Sequence, residues 1–491
     1  MTQRLRSAAL ATLPHGIPGP RFDRARARVG IVHLGLGAFH RAHQAVATEA
    51  VLEAGDLAWG IAGVSLRSPD TRDALAPQDG LYTVAVRSGE GDRFQVVGAI
   101  LGQLVAPEDP EAVLALMAAP DTRIVSLTVT EKGYCHNPAT GELDRAHPDI
   151  VHDLAHPHAP RSAPGFLVEA LRRRREAGLP PFTVLSCDNL PANGATARRV
   201  VSAFATARDR ALGAFVEREV PFPSTMVDRI VPATTDADRT LVADAIGAED
   251  AWPVMTEPFS QWVIEDHFAQ GRPDWTLGGA RFVADVEPFE LMKLRLLNGS
   301  HSTLAYLGYL AGHETVSQAM ADEPFAALLA AMMEREIAPT LPPLPGFDLA
   351  AYRAELLGRF RNPALRHRTW QIAMDGSQKV PQRLLGTIRD RLAAGEPFER
   401  LALGLAGWIR YAGGRDERGG AIDVRDPLRD RLQALSEAAG DDPARLADAF
   451  LSVREVFGDD LGREPRLREA LTAALGRLLA VGARTAVAEH A

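Results

Sequence analysis

Lysine is almost missing from this 491-residue chain: of the 54 basic residues only three are lysine, Lys132, Lys293 and Lys379. Arginine stays protonated at physiological pH, so it supplies charge but cannot carry a proton back and forth. Burial can lower the pKa of a lysine until its amine exchanges a proton near neutrality. Each of the three lysines is therefore a candidate for chemistry rather than for surface charge.

Cysteine is equally scarce, with only Cys135 and Cys187. Two cysteines form neither a disulfide framework nor a four-ligand zinc site, which fits a reducing compartment and excludes a zinc alcohol dehydrogenase. The histidine-rich segment from His147 to His158 is broken by prolines and offers no clear ligand set, so we expect no metal.

A basic surface is also missing, since the net charge is -9. This excludes the footprint of a nucleic-acid or anionic-membrane partner. No unbroken apolar run approaches the ~18 residues of a membrane span. Pro14 and Pro18 interrupt the only short apolar patch near the N-terminus, which argues against a signal peptide. We expect a cytoplasmic protein, either a monomer or a small homo-oligomer.

Strand and helix patterns divide the chain into two halves. After a polar lead-in over residues 1–27, residues 28–285 alternate apolar strands with helices, and residues 286–491 show mainly helical periodicity. This pattern predicts an α/β protein in which an N-terminal Rossmann-type parallel sheet domain precedes a mainly α-helical, substrate-binding domain.

The first strand, from Val29 to Leu34, runs into a glycine turn with the sequence Gly35-Leu-Gly-Ala-Phe-His40. A strand, such a turn and a helix start are typical of a dinucleotide site, so Gly35, Gly37, Ala38 and Phe39 are candidate cofactor ligands. The third glycine of the motif is replaced by His40, and an ordinary tight turn remains the alternative.

The end of the second strand supplies Arg67 and Asp70. An acid here would bind the ribose hydroxyls of NAD, whereas Arg67 would suit the 2'-phosphate of NADP, so NADP is not excluded. Asp70 also fits an ordinary helix N-cap.

Polar residues follow two later strands: Lys132 after Ile124 to Val129, and Asp188 and Asn189 after Phe182 to Ser186. Ligands bind at the carboxyl ends of parallel strands, which makes these residues site candidates, with turn or cap roles as the alternative. Asp228 and Arg229 fit either a site or a local ion pair.

On an α-helix starting near Phe289, the side chains of Lys293, Asn298 and His301 lie at about 0, 140 and 80 degrees, on one broad face. Lysine as base, asparagine as donor to the reacting oxygen and histidine as hydroxyl ligand suit alcohol–ketone interconversion. A lysine with a pKa of ~10.4 is a poor base, so burial or nearby positive charge would have to lower it. The alternative is a lysine that only extends along the protein surface.

Several motifs in order resemble the mannitol dehydrogenase family of long-chain polyol dehydrogenases over roughly residues 28 to 485. They are Gly35-Leu-Gly-Ala-Phe-His-Arg-Ala-His43, Thr128-Val-Thr-Glu-Lys-Gly-Tyr134, Ser186-Cys-Asp-Asn189, Met226-Val-Asp-Arg-Ile230, Lys293-Leu-Arg-Leu-Leu-Asn-Gly-Ser-His301 and Asp375-Gly-Ser-Gln-Lys379. The resemblance implies NAD-dependent oxidation of a secondary alcohol without a catalytic metal.

The resemblance also implies individual roles. Lys293 would be the general base, and Asn189 and Asn298 would orient the reacting oxygen. Glu290 would lie on the proton path. The groups that would contact substrate hydroxyls are Asp228, His301 and Lys379.

Mannitol dehydrogenases of the family carry an arginine eight residues before the last lysine, and this chain has Gln371 there. The segment from Leu365 to Lys379 instead resembles the fructuronate reductase branch, whose substrate carries a carboxylate. Candidate carboxylate ligands are Lys132, Arg295 and Arg366, because arginine pairs with carboxylates through two hydrogen bonds.

The resemblance therefore favours D-mannonate and D-fructuronate, in hexuronate metabolism, as the substrate pair. A mannitol 2-dehydrogenase, which interconverts D-mannitol and D-fructose, or another polyol dehydrogenase is the alternative within the same class. A non-catalytic NAD-sensing protein that has kept the fold is the alternative of a different class.

Overall fold

The computed structural model describes residues 3–137, 140–365 and 367–491. The chain divides into two compact units, residues 1–287 and residues 288–491. Strands occur only in the first unit among the residues described. They are β1 (Val29–Leu34), β2 (Gly60–Ser65), β3 (Tyr82–Val86), β4 (Arg93–Val97), β5 (Ile100–Val105), β6 (Ile124–Leu127), β7 (Thr183–Ser186), β8 (Thr225–Asp228), β9 (Val254–Thr256), β10 (Gln261–Glu265) and β11 (Arg281–Val283).

Five of these strands form a parallel sheet in the order β5-β2-β1-β6-β7. Because β3 and β4 pair with β9 in a separate sheet, the five strands taken in chain order run 3-2-1-4-5, which is the Rossmann order. The order reverses between β1 and β6, and that reversal is where such sheets bind their ligand. The predicted Rossmann-type architecture is confirmed.

The sheet is covered on both faces because its strands are apolar throughout. Ile31 and Ile124 belong to one buried cluster and their neighbours Val32 and Val125 to another. Successive side chains of a strand point to opposite faces, so continuous apolar runs require helices on both sides. The helices of this unit are α1 (Ala38–Ala42), α2 (Gln44–Glu53), α3 (Asp70–Leu75), α4 (Pro110–Ala118), α5 (Pro148–Ala155), α6 (Ala163–Glu176), α7 (Asn193–Arg208), α8 (Arg210–Glu219) and α9 (Asp236–Ile246).

The described residues of the second unit are mainly helical, with connections as long as residues 413–428 between the helices. They are α10 (Glu287–Met292), α11 (Ser300–Leu310), α12 (Val316–Ala321), α13 (Glu323–Ala331), α14 (Leu349–Arg361), α15 (Thr369–Ala373), α16 (Gly376–Val380), α17 (Gly386–Ala393), α18 (Glu399–Ala412), α19 (Arg429–Ala439), α20 (Pro443–Leu451), α21 (Arg454–Phe457) and α22 (Pro465–His490). Three segments are π-helical: π1 (Lys293–Gly299), π2 (Met332–Ile337) and π3 (Pro381–Leu385).

The last helix, α22, is long and apolar enough by length and composition to cross a membrane. Its side chains Leu467, Leu471 and Leu475 are fully buried, and the helix packs against α18 and α20. This is the packing of a core helix. Gly482, with φ 78° and ψ 165°, interrupts the helical backbone within α22.

Candidate active site

The glycine turn after β1 has two positions with different requirements. Gly35 has a φ of +98°, and a Cβ there would lie 2.2 Å from the carbonyl oxygen of Thr128. At Gly37 φ is -96°, and the nearest atom to an added Cβ is the carbonyl oxygen of Gly35 at 3.7 Å. Gly35 is therefore needed to close the turn, while Gly37 leaves open space of the kind through which the backbone approaches a pyrophosphate. Ala38 and Phe39 follow as the start of α1.

His40 explains why the third glycine of the motif is absent. Its ring is fully buried and stacks on His33, with the ring centroids 3.4 Å apart. The His33 ring bonds Ser126 Oγ and Thr128 Oγ1, each at 2.8 Å. Burial lowers the pKa of His33 to about 3 and that of His40 well below its ordinary value, so both rings are neutral. The two stacked rings connect α1 to β1 at the position where the third glycine of the motif would otherwise allow close packing.

Arg67 and Asp70, which follow β2, each interact with a side chain of the same unit. Arg67 is largely exposed and its Nη2 lies 3.5 Å from a carboxylate oxygen of Asp149. The Asp70 carboxylate accepts a hydrogen bond from Ser68 Oγ at 2.8 Å. The N-cap position of α3 is Pro69, and Asp70 is the first helical residue, so the interpretation of Asp70 as an N-cap is wrong.

Asp188 organises the ends of β6 and β7. Its buried carboxylate accepts hydrogen bonds from the backbone N–H groups of Val129 and Thr130, at 3.1 and 2.8 Å, and from Tyr134 Oη at 2.7 Å. Thr130 has φ +63° and ψ 167°, a conformation that costs a residue with a side chain of order 1–3 kcal/mol. The carboxylate therefore fixes a strained loop.

That loop and the residue after Asp188 carry two predicted site residues. Lys132 lies on the 3-10 turn Glu131–Tyr134 and is exposed. Asn189, next to Asp188, is exposed as well. Asp188 thus holds the backbone from which both side chains extend, a role that the sequence only hinted at.

Asp228 and Arg229 have different surroundings. Asp228 ends β8 and is buried, whereas the guanidinium of Arg229 donates to the backbone carbonyls of Ala42 and Glu257. Arg229 thus ties two distant segments together, and Asp228 remains a predicted substrate ligand.

Among the described residues, Cys135, His147 and Asp149 have potential metal-ligand atoms within 4.8 Å of one another. The sequence did not reveal this group. His147 Nδ1 already accepts the backbone N–H of Asp149 at 3.2 Å. Burial, with the nearby carboxylates, raises the pKa of the Cys135 thiol to about 12, which disfavours the thiolate that a metal needs. The expectation of no metal stays a prediction.

In the second unit, the helix that carries Lys293 changes its hydrogen-bond pattern at that residue. α10 runs into the π-helical segment π1, which continues as α11. Hydrogen bonds from residue i to i+5 place a residue and the fifth one after it on nearly the same face. The α-helical spacing predicted from the sequence is therefore wrong here, and the π-helix aligns Lys293 and Asn298 more closely.

These residues are positioned by close packing. Lys293 is only 7% exposed. Asn298 is half-buried, and its amide makes no hydrogen bond with any residue in the described ranges. A Cβ at Gly299 would lie 2.7 Å from the carbonyl oxygen of Arg383, so glycine is required where π1 meets π3.

His301 lies among cations. Its ring stacks on Phe360 and meets the His367 ring edge-on, with centroids 5.2 and 4.8 Å apart. Burial lowers the pKa of His301 well below its ordinary value, and His367, Arg383, Arg359 and Lys379 lower it further. His301 is therefore neutral and can exchange hydrogen bonds with a hydroxyl group.

Lys379 is held by the backbone. Its Nζ donates to the carbonyl oxygens of Met374 and Ile372, at 2.6 and 3.3 Å. Burial, followed by the charge of Arg383, lowers the pKa of Lys379 to about 8, although Asp375 and Asp426 oppose the shift.

The structure changes the set of candidate carboxylate ligands. Arg295 Nη1 donates to Asp390 at 2.6 Å and to Thr340, so its charge already has a partner within the protein, and its role as a carboxylate ligand stays a prediction. Arg366 lies outside the described residues. Sequence reasoning missed Arg383, although its position four residues after Lys379 on a helical pattern was a usable signal.

A Rossmann sheet with a pyrophosphate-type turn and a second unit with a buried lysine on a helix are features of a nucleotide-dependent dehydrogenase. Two family models match: Mannitol dehydrogenase Rossmann domain over residues 29–277 and Mannitol dehydrogenase C-terminal domain over residues 285–479. The chain belongs to the mannitol dehydrogenase family and is an oxidoreductase of that family.

Relatives in the family span nearly the whole chain. D-mannonate oxidoreductase of Escherichia coli is 50% identical over 96% of this chain and 97% of its own. Mannitol 2-dehydrogenase of Aspergillus fumigatus is 46% identical over 92% of each chain. The structure of Pseudomonas fluorescens mannitol 2-dehydrogenase in ternary complex with NAD and D-mannitol is 41% identical, covers 99% of both chains and has a TM-score of 0.86.

The two glycines of the turn are expected to respond differently to alanine. Gly35→Ala should lower the melting temperature without nucleotide, because it adds both a strained φ and a backbone clash. Gly37→Ala should leave melting unchanged but weaken NADH binding at least tenfold, as measured by fluorescence titration. Wild-type NADH affinity in Gly37→Ala would contradict the assignment of this turn to the cofactor.

Asp188→Asn should destabilise the folded chain by about 1–3 kcal/mol, because an amide cannot accept all three hydrogen bonds. It should also lower kcat at least tenfold, since the loop bearing Lys132 and the backbone of Asn189 lose their anchor. Tyr134→Phe, which removes one donor only, is the matched control and should lose less in both measurements. If Asp188→Asn melts early but keeps full kcat at assay temperature, the carboxylate supports the fold alone.

Proposed function

We propose that this protein is an NAD-dependent oxidoreductase of open-chain sugar acids that interconverts D-mannonate and D-fructuronate. The observation that supports the proposal is the group of basic residues near His301, since the charges of Arg383, Arg359 and Lys379 add to burial in lowering the pKa of its ring. A substrate carboxylate can pair with such basic groups, whereas a neutral polyol offers them no charge. The 50% identity to a D-mannonate oxidoreductase supports the same substrate.

The chain's own residues divide the chemistry among them. Lys293 takes the proton of the reacting hydroxyl, and Asn298 donates a hydrogen bond to the same oxygen as it becomes a carbonyl. His301 holds a neighbouring hydroxyl. Asn189 as a second donor, Glu290 on the proton path and Asp228 as a hydroxyl ligand keep the roles that the family resemblance implies. NAD supplies the hydride acceptor in the direction of oxidation.

The charges after β2 favour NAD over NADP. Asp149 offsets the charge of Arg67, and Asp70 adds a second carboxylate to the same surface. A 2'-phosphate would meet these acids, whereas ribose hydroxyls can donate to them. We expect the enzyme to act in the cytoplasm.

Mannitol oxidation is the second candidate, supported by the 46% and 41% identities to mannitol 2-dehydrogenases. Gln371 stands where those enzymes are expected to carry an arginine, which argues against it. A non-catalytic NAD sensor is the candidate from a different class.

The experiment is NADH consumption with D-fructuronate, D-tagaturonate, D-fructose and D-xylulose side by side, repeated with NADPH. We expect kcat/KM for D-fructuronate to exceed that for D-fructose at least a hundredfold, and NADH to be preferred. A clear preference for D-fructose would contradict the sugar-acid proposal. Absence of turnover with all four sugars while NADH binds would favour the sensor.

A further inference from the structure

Arg383 combines a charged group with an incomplete set of partners. It lies in π3, and its side chain is half-buried against α11. Its Nη1 donates to Ser302 Oγ at 3.0 Å, directly after His301 in the chain. Within the described ranges, Nε and Nη2 donate to nothing and no carboxylate pairs with the guanidinium. The five residues outside those ranges include no acid.

Two buried arginines of the same unit have carboxylate partners. Arg295 has Asp390 at 2.6 Å. Arg391 donates from Nε to the carbonyl oxygen of Pro397 at 2.9 Å and lies 3.5 Å from Glu396. A cation that is partly removed from water is stabilised by a counter-charge, and the half-buried Arg383 has none bonded to it in the described ranges.

The open edge of Arg383 has a defined geometry. Nε and Nη2 present parallel N–H groups, which is an edge that accepts both oxygens of one carboxylate. Ser302 holds Nη1 and so fixes the plane of the guanidinium. Lys379 and the neutral His301 lie in the same charged neighbourhood, as the shifts of their pKa values by Arg383 indicate.

We propose that Arg383 is the specificity-determining residue that binds the substrate carboxylate through its Nε and Nη2 groups. The inference rests on the proposed function for the identity of the acid. It adds the residue that separates sugar acids from polyols. Arg383 touches the end of the substrate rather than the reacting carbon, so it controls binding more than proton transfer.

The test measures binding without turnover. Calorimetry measures the binding of D-mannonate and D-gluconate to enzyme saturated with NADH, where no oxidation of the ligand can occur. D-mannitol is titrated in the same way as the neutral counterpart. Arg383→Met should weaken hexonate binding at least thirtyfold and change D-mannitol binding less than threefold. Its melting temperature should equal or exceed that of the wild type, because an uncompensated charge has been removed.

Two further variants serve as controls. Arg383→Lys keeps the positive charge but loses the two parallel N–H groups of the guanidinium, so it should bind hexonates with intermediate affinity. This variant tests the inference if Arg383→Met fails to fold. Arg391→Met removes a buried arginine that has protein partners; it should melt earlier and bind hexonates within threefold of the wild type.

The outcomes separate this inference from the proposed function. If the wild-type protein binds hexonates through Arg383 but does not reduce D-fructuronate, the proposed reaction is refuted while the carboxylate site stands. If Arg383→Met weakens acids and D-mannitol equally, or if the wild type binds no hexonate, the inference is overturned. Equal losses in Arg391→Met and Arg383→Met would also overturn it, because net charge alone would then explain the effect.

Discussion

The contact between Gly299 and the backbone carbonyl of Arg383 joins two π-helical segments, and the candidate chemistry of the second unit depends on it. With a Cβ only 2.7 Å from that oxygen, any residue other than glycine would push π1 and π3 apart. Lys293 and Asn298 lie on one of these segments and Arg383 on the other. One backbone contact thus sets the spacing between the segment that carries the proposed base and oxygen donor and the segment that carries Arg383.

Charge is the second constraint on this unit. Arg295 is paired with Asp390. Among the described residues, Lys379 and Arg383 instead bond neutral oxygens, although Asp375 and Asp426 act on the charge of Lys379. A ligand carboxylate would neutralise such cations, so their arrangement fits the proposed carboxylate site.

In the first unit, the Rossmann sheet could be predicted because its strands are continuous apolar runs and its first turn requires glycine at Gly35. The substitution of His40 for the third glycine could not be explained from the sequence. The His40 ring stacks on the His33 ring, and the His33 ring forms a hydrogen bond with Ser126, which is 93 residues away in the chain. Contacts of such separation leave no local pattern.

In the second unit the candidate residues could be named from the sequence, but their geometry could not. Lys293, Asn298 and His301 stood out by residue type, yet an apolar pattern does not distinguish a π-helix from an α-helix. The pairing of Arg295 with Asp390 spans 95 positions, so the sequence could not show that this charge was already compensated. Arg383 lies four residues beyond Lys379, outside the motif from Asp375 to Lys379 that carries the family resemblance.

The central claim is that the amine of Lys293 accepts the substrate proton, and chemical rescue tests it most directly. Lys293→Ala should lower kcat by about 10²–10⁴-fold while NADH still binds. Added methylamine or ethylamine should then restore turnover in proportion to the concentration of the free amine. A variant that retains wild-type turnover, or one that no primary amine rescues although NADH and the sugar acid both bind, would contradict the account.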